Sequence, residues 1–518
     1  MAGTAASVPE QAVAVRRGSR GLALGVLCTL LFLTFLDNTI VSVGLGSVQA
    51  DLHAGVADLQ WVVSAYALTF ASTMLAFGMI ADEFGRKRVM LAGAAVFCAG
   101  SVLSALAPTA PVLIAGRAVM GLGAAASEPG TLSMLRHLYP AGRERARAVG
   151  VWSGVAGLAL ALGPVIGGIL VGAWDWRGIF WFNLAFGLAA LAVAALVLSE
   201  NADPQAHRVD VAGTVLGAGA LAAFVFAVIT GENAGFGSAA VIALFCVSAA
   251  GAAGFVWQEH RATHPLLDLR FLRVPQFAVP NVVAFCSYFA TFAIFFFTAL
   301  YLNEVAGYSG YQIALVFLPM MVLMISASLL AGRWAVTGLR ISIVAGCLVS
   351  GAGLLVTNAT LSPHPRYLAL AAALALTGAG LGATAVPITS AVLAAVPPER
   401  SGMAASATNT SREIGAVTGV AILGALVNAQ LRSSLTGRLH QLGIPPNFQS
   451  IVINALETGR VPASGTASGY QGKLVQQVIQ AAYDAFSAGL HAALYLSAGL
   501  VIGAGLLSAV ALRRPADR

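Results

Sequence analysis

Fourteen apolar runs, each about long enough to cross a bilayer, leave this chain few folds to choose from. They lie near residues 22–45, 57–80, 88–107, 110–136, 148–172, 179–198, 211–230, 238–257, 277–302, 311–332, 341–357, 367–396, 403–429 and 486–512. A transmembrane helix needs about 20 mostly apolar residues. Within hydrocarbon, only helices and closed barrels satisfy every backbone polar group, and runs of this length are helices. Apolar residues make up 58% of the chain and charged residues 9%, whereas a soluble domain carries about 25% charged residues. The expected fold class is therefore an all-α polytopic membrane protein.

The formal net charge of +7 is read by location, because basic residues mark cytoplasmic loops. Arg86, Lys87 and Arg88 follow the second run, Arg136, Arg143, Arg145 and Arg147 the fourth, and Arg261, Arg270 and Arg273 the eighth. Arg333 and Arg340 follow the tenth, Arg400 the twelfth, and Arg513 and Arg514 the fourteenth. The alternate short loops hold only Arg177 and Arg366. Both termini are thus expected in the cytoplasm of a multi-pass plasma-membrane protein, and the positive charge is no argument for nucleic acid. Arg16, Arg17 and Arg20 precede a first run too long for a signal peptide, so that run is read as a retained helix. The five cysteines stand singly in apolar runs, without metal spacing or a disulfide framework. There is no Walker loop and no H-E-x-x-H arrangement. No enzymatic activity, metal or cofactor is expected.

Asp37 is the only charge between residues 21 and 50. A carboxylate in a membrane core costs about 2.5–3.5 kcal/mol on insertion scales and usually faces a protein interior or a watery cavity. Its expected use is to bind and release a proton; the alternative is a structural acid paired with a buried base. Arg117 supplies such a base. Counting 1.5 Å per residue from the helix ends puts both residues about 12 Å below the same edge, on antiparallel helices. Glu128 lies eleven residues, or three turns, beyond Arg117 on the same face, followed by Pro129 and Gly130. Arg412 and Glu413 stand about ten residues into the thirteenth run. For Glu128, Arg412 and Glu413, structural pairing and functional titration are both open. Trp61, Tyr66 and Phe70 fall near one face of the second run and could hold a flat, lipophilic or cationic molecule by stacking and cation–π contact. The alternative for each is an interfacial or lipid-facing aromatic.

After the second run comes a loop with Gly78, Asp82, Gly85, Arg86, Lys87 and Arg88. Gly78 would allow close helix contact, Asp82 would face a helix N-terminus, Gly85 would make the turn, and Arg86 and Arg88 would anchor the loop. The spacing resembles the signature loop of the major facilitator superfamily, G-x-x-x-D-x-x-G-R-[KR]. Leu36-Asp37-Asn38-Thr39-Ile40-Val41 resembles the first-helix motif of its fourteen-helix drug:proton antiporters (the QacA/EmrB-like branch). Arg117 through Gly123 resembles the superfamily's buried-arginine motif, and Gly163-Pro164-Val165-Ile166-Gly167-Gly168 the exporter motif G-P-x-x-G-G. The segments Trp176–Asn183 and Pro265–Arg270 are also similar to that branch. Residues 332–338 look like a second copy of the signature loop, shortened and without its aspartate.

That resemblance implies two six-helix bundles with two extra helices between them. The expected division is a cytoplasmic tail over 1–21, a first bundle over 22–198, inserted helices and linkers over 199–276, a second bundle over 277–512 with an outer loop at 430–485, and a tail over 513–518. Residues 471–485 of the loop could form a short amphipathic helix. The implied activity is export of hydrophobic or cationic drugs, antibiotics or biocides, driven by protons. Export of a single self-made metabolite or lipid, or a non-transporting binding role on the same fold, stays open. Asp37 and Arg117 would couple protons, Trp61, Tyr66, Phe70 and Glu128 would meet substrate, and Gly163, Pro164, Gly167 and Gly168 would let the helices move. Glu128 and Arg412, from opposite bundles, would form an inner gate. The expected partners are protons, a small-molecule substrate and membrane lipid, with the chain acting as a monomer.

Overall fold

A computed structural model describes residues 17–139, 142–200, 210–263, 265–363, 365–397, 401–441 and 470–512. Among the described residues the secondary structure is helical, without strands. Among the described residues, thirteen helices are long and apolar enough to cross a membrane. Val56–Phe84, at 29 residues about 43 Å long, makes a fourteenth.

In chain order these are α1 (Arg17–Ile40), α2 (Val56–Phe84), α3 (Arg86–Ala105), α4 (Ala110–Leu138), α5 (Gly142–Ala173), α6 (Arg177–Val197) and α7 (Val211–Ala234). There follow α8 (Ala239–Arg261), α9 (Pro275–Phe292), α10 (Gly310–Ala331), α11 (Gly338–Thr360), α12 (Tyr367–Ala394), α13 (Ser401–Gln441) and α14 (Tyr470–Ala511). A 3-10 turn, Val41–Gly44, carries α1 into a short extension, Leu45–Leu52. A π-helical turn, Ala293–Thr298, carries α9 on to Glu304. The rod formed by α10 and α11 is interrupted by non-helical backbone at Gly338.

The helices form two groups. α1 lies against α4, α5 and α6, α2 against α4, and α3 against α4 and α6. In the second group α9 lies against α12, α13 and α14, and the α10–α11 rod against α12 and α14. The groups meet along two lines, α2 on α13 and α5 on the α10–α11 rod. α7 touches both α2 and α13 where they meet, and α8 packs on α7 with most of its surface turned outward. Lipid is as apolar as leucine, so bundles of this kind hold together by close packing and interhelical hydrogen bonds rather than by exclusion from water.

The loop expected at 430–485 is shorter than the sequence suggests. α13 continues to Gln441 and α14 begins at Tyr470, taking in residues 471–485 without a break. The reason is apolar packing between the two extensions: Leu431 and Leu435 meet Ala481, Ala482 and Ala485, and Arg438 pairs with Asp484 at 2.5 Å. Pro445, Pro446 and the Gly/Ser-rich stretch before Tyr470 lie outside the described residues, as do most of the two expected tails and Arg400.

The turn between α2 and α3 shows how the two helices are held. Gly85 has φ +108°, a region that favours glycine. The Glu200 carboxylate, just past the end of α6, accepts hydrogen bonds from the backbone N–H of Lys87 (3.1 Å) and Arg88 (3.2 Å). It thereby satisfies two of the free donors at the start of α3, where negative charge is favoured. A side chain on Gly85 would strike that carboxylate, at 2.7 Å. The acid capping this turn is therefore Glu200; the Asp82 side chain lies outside what the structure describes. Arg88 also faces Glu200, at 3.5 Å, and Arg86 is half-buried. Gly78 does not mediate a tight contact, because a methyl group there would sit an ordinary 3.7 Å from Pro129.

Candidate functional site

Asp37 and Arg117 are both fully buried, at 0% exposure. α1 and α4 bring them together: Arg117 Nη1 donates to Asp37 Oδ2 in a direct ion pair. Each partner is held by further groups. Arg117 Nε donates to the Val62 carbonyl at 3.0 Å, and its guanidinium lies 4.5 Å from the centre of the Tyr66 ring. The Tyr66 hydroxyl donates to the Thr34 carbonyl at 2.8 Å. Asp37 Oδ1 accepts from Asn183 Nδ2 of α6 at 2.6 Å. A buried pair offsets its desolvation only when its remaining polar atoms are satisfied, and α2 and α6 supply those partners. Asn183→Val removes the donor to Asp37 Oδ1. We expect a destabilisation of about 1–3 kcal/mol, the usual result of stranding a buried acceptor, read as a lower melting temperature in detergent.

Asn38, the next residue, points the other way. Its Nδ2 donates to Glu413 Oε1 of α13 at 3.2 Å, across the seam between the two groups. A second bond crosses nearby: Asn409 Nδ2 of α13 donates to Glu128 Oε1 of α4 at 3.0 Å. Arg412 Nη1 donates to Asn409 Oδ1 at 3.0 Å. Glu128 and Arg412 are therefore joined through the Asn409 amide and not by a direct ion pair. The amide suits this position because it accepts at one end and donates at the other.

A cavity lies against this cluster, between the groups. α5 contributes Trp152 and Leu160, α9 Tyr288, α10 Met324, α12 Thr389 and α13 Arg412. Trp61, Tyr66, Phe70 and Glu128, expected to meet substrate, do not line it. Trp61 packs on Phe226 of α7, with ring centres 5.4 Å apart. Tyr66 supports Arg117, and Phe70 packs on Tyr66 at 5.9 Å. The α2 aromatics thus part, Trp61 toward α7 and Tyr66 with Phe70 into their own bundle, and Glu128 is bonded to the Asn409 amide.

The exporter-motif helix divides its small residues between two neighbours. Side chains at Gly163 and Gly167 would strike Thr39 and Ile40 of α1, in the same group. A side chain at Gly168 would strike the Gly310 carbonyl and come within 2.8 Å of Ala314 Cβ, at the start of α10 in the other group. Pro164 stands inside α5, where it removes one backbone hydrogen bond.

The residues that the sequence left unassigned are Asn38, Asn183 and Asn409, together with Trp152 and Tyr288. An amide within an apolar run is the same kind of signal as Asp37, only weaker, and all three asparagines carry it.

The sequence model of the Major Facilitator Superfamily matches residues 27–420. The chain is 34% identical over 424 residues to the multidrug resistance protein Stp of Mycobacterium tuberculosis, covering 82% of this chain and 78% of the relative. It is 32% identical to a methylenomycin A resistance protein of Streptomyces coelicolor, over 79% of this chain and 86% of the relative. To the multidrug efflux pump LfrA of Mycolicibacterium smegmatis it is 29% identical, over 95% and 96%. Among solved structures, an inward-facing, unoccupied bacterial homologue of the human lysosomal transporter Spinster superposes with a TM-score of 0.63 at 15% identity, covering 97% of this chain and all of that one. That likeness supports the fold alone. With its fourteen apolar helices in two packed groups and a family match across most of its length, the chain belongs to the Major Facilitator Superfamily and is a multi-pass membrane transporter rather than an enzyme.

Proposed function

We propose that this transporter is a proton-coupled drug-efflux antiporter of the cytoplasmic membrane, working as a monomer. Relatives named for multidrug and antibiotic resistance support the efflux part. The observation that carries the coupling part is the placement of Asp37 beside Asn38. One residue holds the buried ion pair within the first bundle, and the next reaches across the seam to Glu413. A proton on Asp37 removes the anion that Arg117 is paired with. α1 is then released from α4 and carries its bond to the second bundle with it. Proton binding and bundle movement thus share one helix turn.

The arginine distribution supports an orientation with both termini in the cytoplasm. In that orientation the Gly168–Gly310 contact lies at the outer end, and Glu128, Asn409 and Arg412 lie on the inner side of the cavity. The Glu128–Asn409–Arg412 chain would act as an inner gate, broken when the bundles part on that side. Asn409→Leu removes both of its hydrogen bonds, so we expect efflux to fall about tenfold or more, as for the loss of bonds to charged groups. Initial efflux rates at matched expression check this.

Accumulation assays across a panel of lipophilic drugs, with and without a protonophore, test the function. The reading requires lower accumulation of at least one compound in cells making the protein, abolished by the protonophore. Accumulation that the protein leaves unchanged for every compound would contradict it.

A further inference from the structure

Among the described residues, Arg412 is the only charged side chain lining the cavity, and its partners there are neutral. Nη1 donates to Asn409 Oδ1 at 3.0 Å, and Nη2 to Thr389 Oγ1 at 2.9 Å and, more weakly, to the Ala385 carbonyl at 3.4 Å. Two carboxylates stand nearby, and neither meets the guanidinium directly. The Asn409 amide bonds both Glu128 and Arg412, and Glu413 is bonded to Asn38. Arginine stays charged in proteins, and a buried cation gains most from an anion that also satisfies its hydrogen bonds directly. Its planar fork matches a carboxylate bidentately.

Apart from Ser287 and Tyr288, the rest of the wall is apolar or has its polar groups bonded elsewhere. Trp152 directs its indole N–H out of the cavity, to Thr131 Oγ1 at 3.0 Å, so the cavity meets its ring. Thr291 and Thr384 spend their hydroxyl protons on carbonyls of their own helices. Tyr288 lies beside Arg412, with its ring centre 5.6 Å from the guanidinium carbon, and Phe35, Leu160, Met324 and Leu381 complete an apolar lining.

We propose that this cavity selects lipophilic aromatic molecules bearing an anionic pole, a carboxylate or its equivalent, with the pole on Arg412 and the ring among Trp152, Tyr288 and Phe35. This rests on the efflux reading for its biological meaning, but the site makes its own prediction about charge. The ligand's acid displaces the Thr389 hydroxyl and the Asn409 oxygen from the guanidinium. Asn409 also holds Glu128 across the seam, so an acidic ligand acts directly on the hydrogen-bond chain that joins the bundles. A cationic ligand would meet a like charge at the one charged point of the wall.

Binding of 1-naphthoate, its methyl ester and ethidium to the purified full-length protein, by quenching of tryptophan fluorescence, tests the proposal. The acid is expected to bind about tenfold or more tighter than the ester, which lacks the charge, since hydrogen bonds between charged groups are the stronger ones. In Arg412→Gln the acid should lose that advantage, and Arg412→Lys should keep part of it. Equal binding of acid and ester to the wild-type protein, or tighter binding of ethidium than of the acid, overturns the proposal without recourse to any variant. Preferred binding of the acid, with no drug exported from cells, would leave the site standing and remove the efflux reading. Protonophore-sensitive export of ethidium without preferred binding of the acid would do the reverse.

Discussion

Asp37→Asn is expected to reduce drug efflux to the level of cells lacking the protein while leaving the protein folded. The two halves of this expectation have separate grounds. The variant cannot take up or release a proton, so nothing at position 37 changes state during the cycle, and the ion pair with Arg117 is lost permanently. Removing one partner of a buried pair usually destabilises by about 3–5 kcal/mol, because an uncompensated charge is left behind. Here the surroundings soften that cost. The amide introduced by Asp37→Asn still offers one oxygen to Arg117. Its new N–H group can donate to Asn183 Oδ1, which has no hydrogen-bond partner among the described residues, once the Asn183 amide turns over. Arg117 also keeps the Val62 carbonyl and the Tyr66 ring. Size-exclusion profiles should therefore match the wild type while resistance disappears. Wild-type resistance in Asp37→Asn would remove Asp37 from the coupling step.

A comparably large loss of transport, by a different route, is expected from Gly168→Leu. Any side chain at 168 meets the Gly310 backbone carbonyl and Ala314 Cβ. A carbonyl within a helix has no rotamer to escape into, so the two bundles must separate along that edge. Each bundle keeps its own packing, and the protein should fold but fail to close at this end. Gly167→Leu, one residue earlier, should behave otherwise. Its side chain meets Ile40 of α1, within one bundle, where overpacking costs about 1–3 kcal/mol or more. The expected result there is a lower melting temperature and yield. A cysteine at Ala314, which is buried, separates the cases. In a background lacking the exposed Cys246 it should react with a thiol reagent in Gly168→Leu and stay protected without that substitution. Protection in both would mean that the bundles do not part there.

The membrane architecture was legible because lipid imposes a length and a composition that any reader can count. Asp37 and Arg117 were legible for a related reason: charges within apolar runs are rare, and depth follows from residues counted along a helix. Other features depend on which way a helix is rotated. In runs that are apolar all round, periodicity does not fix that rotation. Trp61 and Phe70, nine residues apart, stand about 180° from each other on a helix, and they part accordingly: Trp61 packs on α7, whereas Tyr66 lies on Arg117 and Phe70 on Tyr66, and none lines the cavity. Gly167 and Gly168 are adjacent in sequence and serve different neighbours, which only the packing reveals. Asn409 carries a weaker signal in the sequence than the formal charges of Glu128 and Arg412, yet its amide is the group that joins them. The continuation of α13 to Gln441 was hidden by the Pro- and Gly-rich stretch beyond it, which drew the expected loop boundary over Leu431 and Leu435, whereas the helix expected over 471–485 is present and runs into α14 without a break.

In the proposed cycle a drug moving one way carries a proton the other way through Asp37. Proteoliposomes of purified protein, loaded with a pH-indicating dye and given a drug gradient with no initial pH difference, test it most directly. With wild-type protein, drug flux should generate a pH change of the opposite direction, and with Asp37→Asn none. Drug moving at the wild-type rate with no change in internal pH would contradict it.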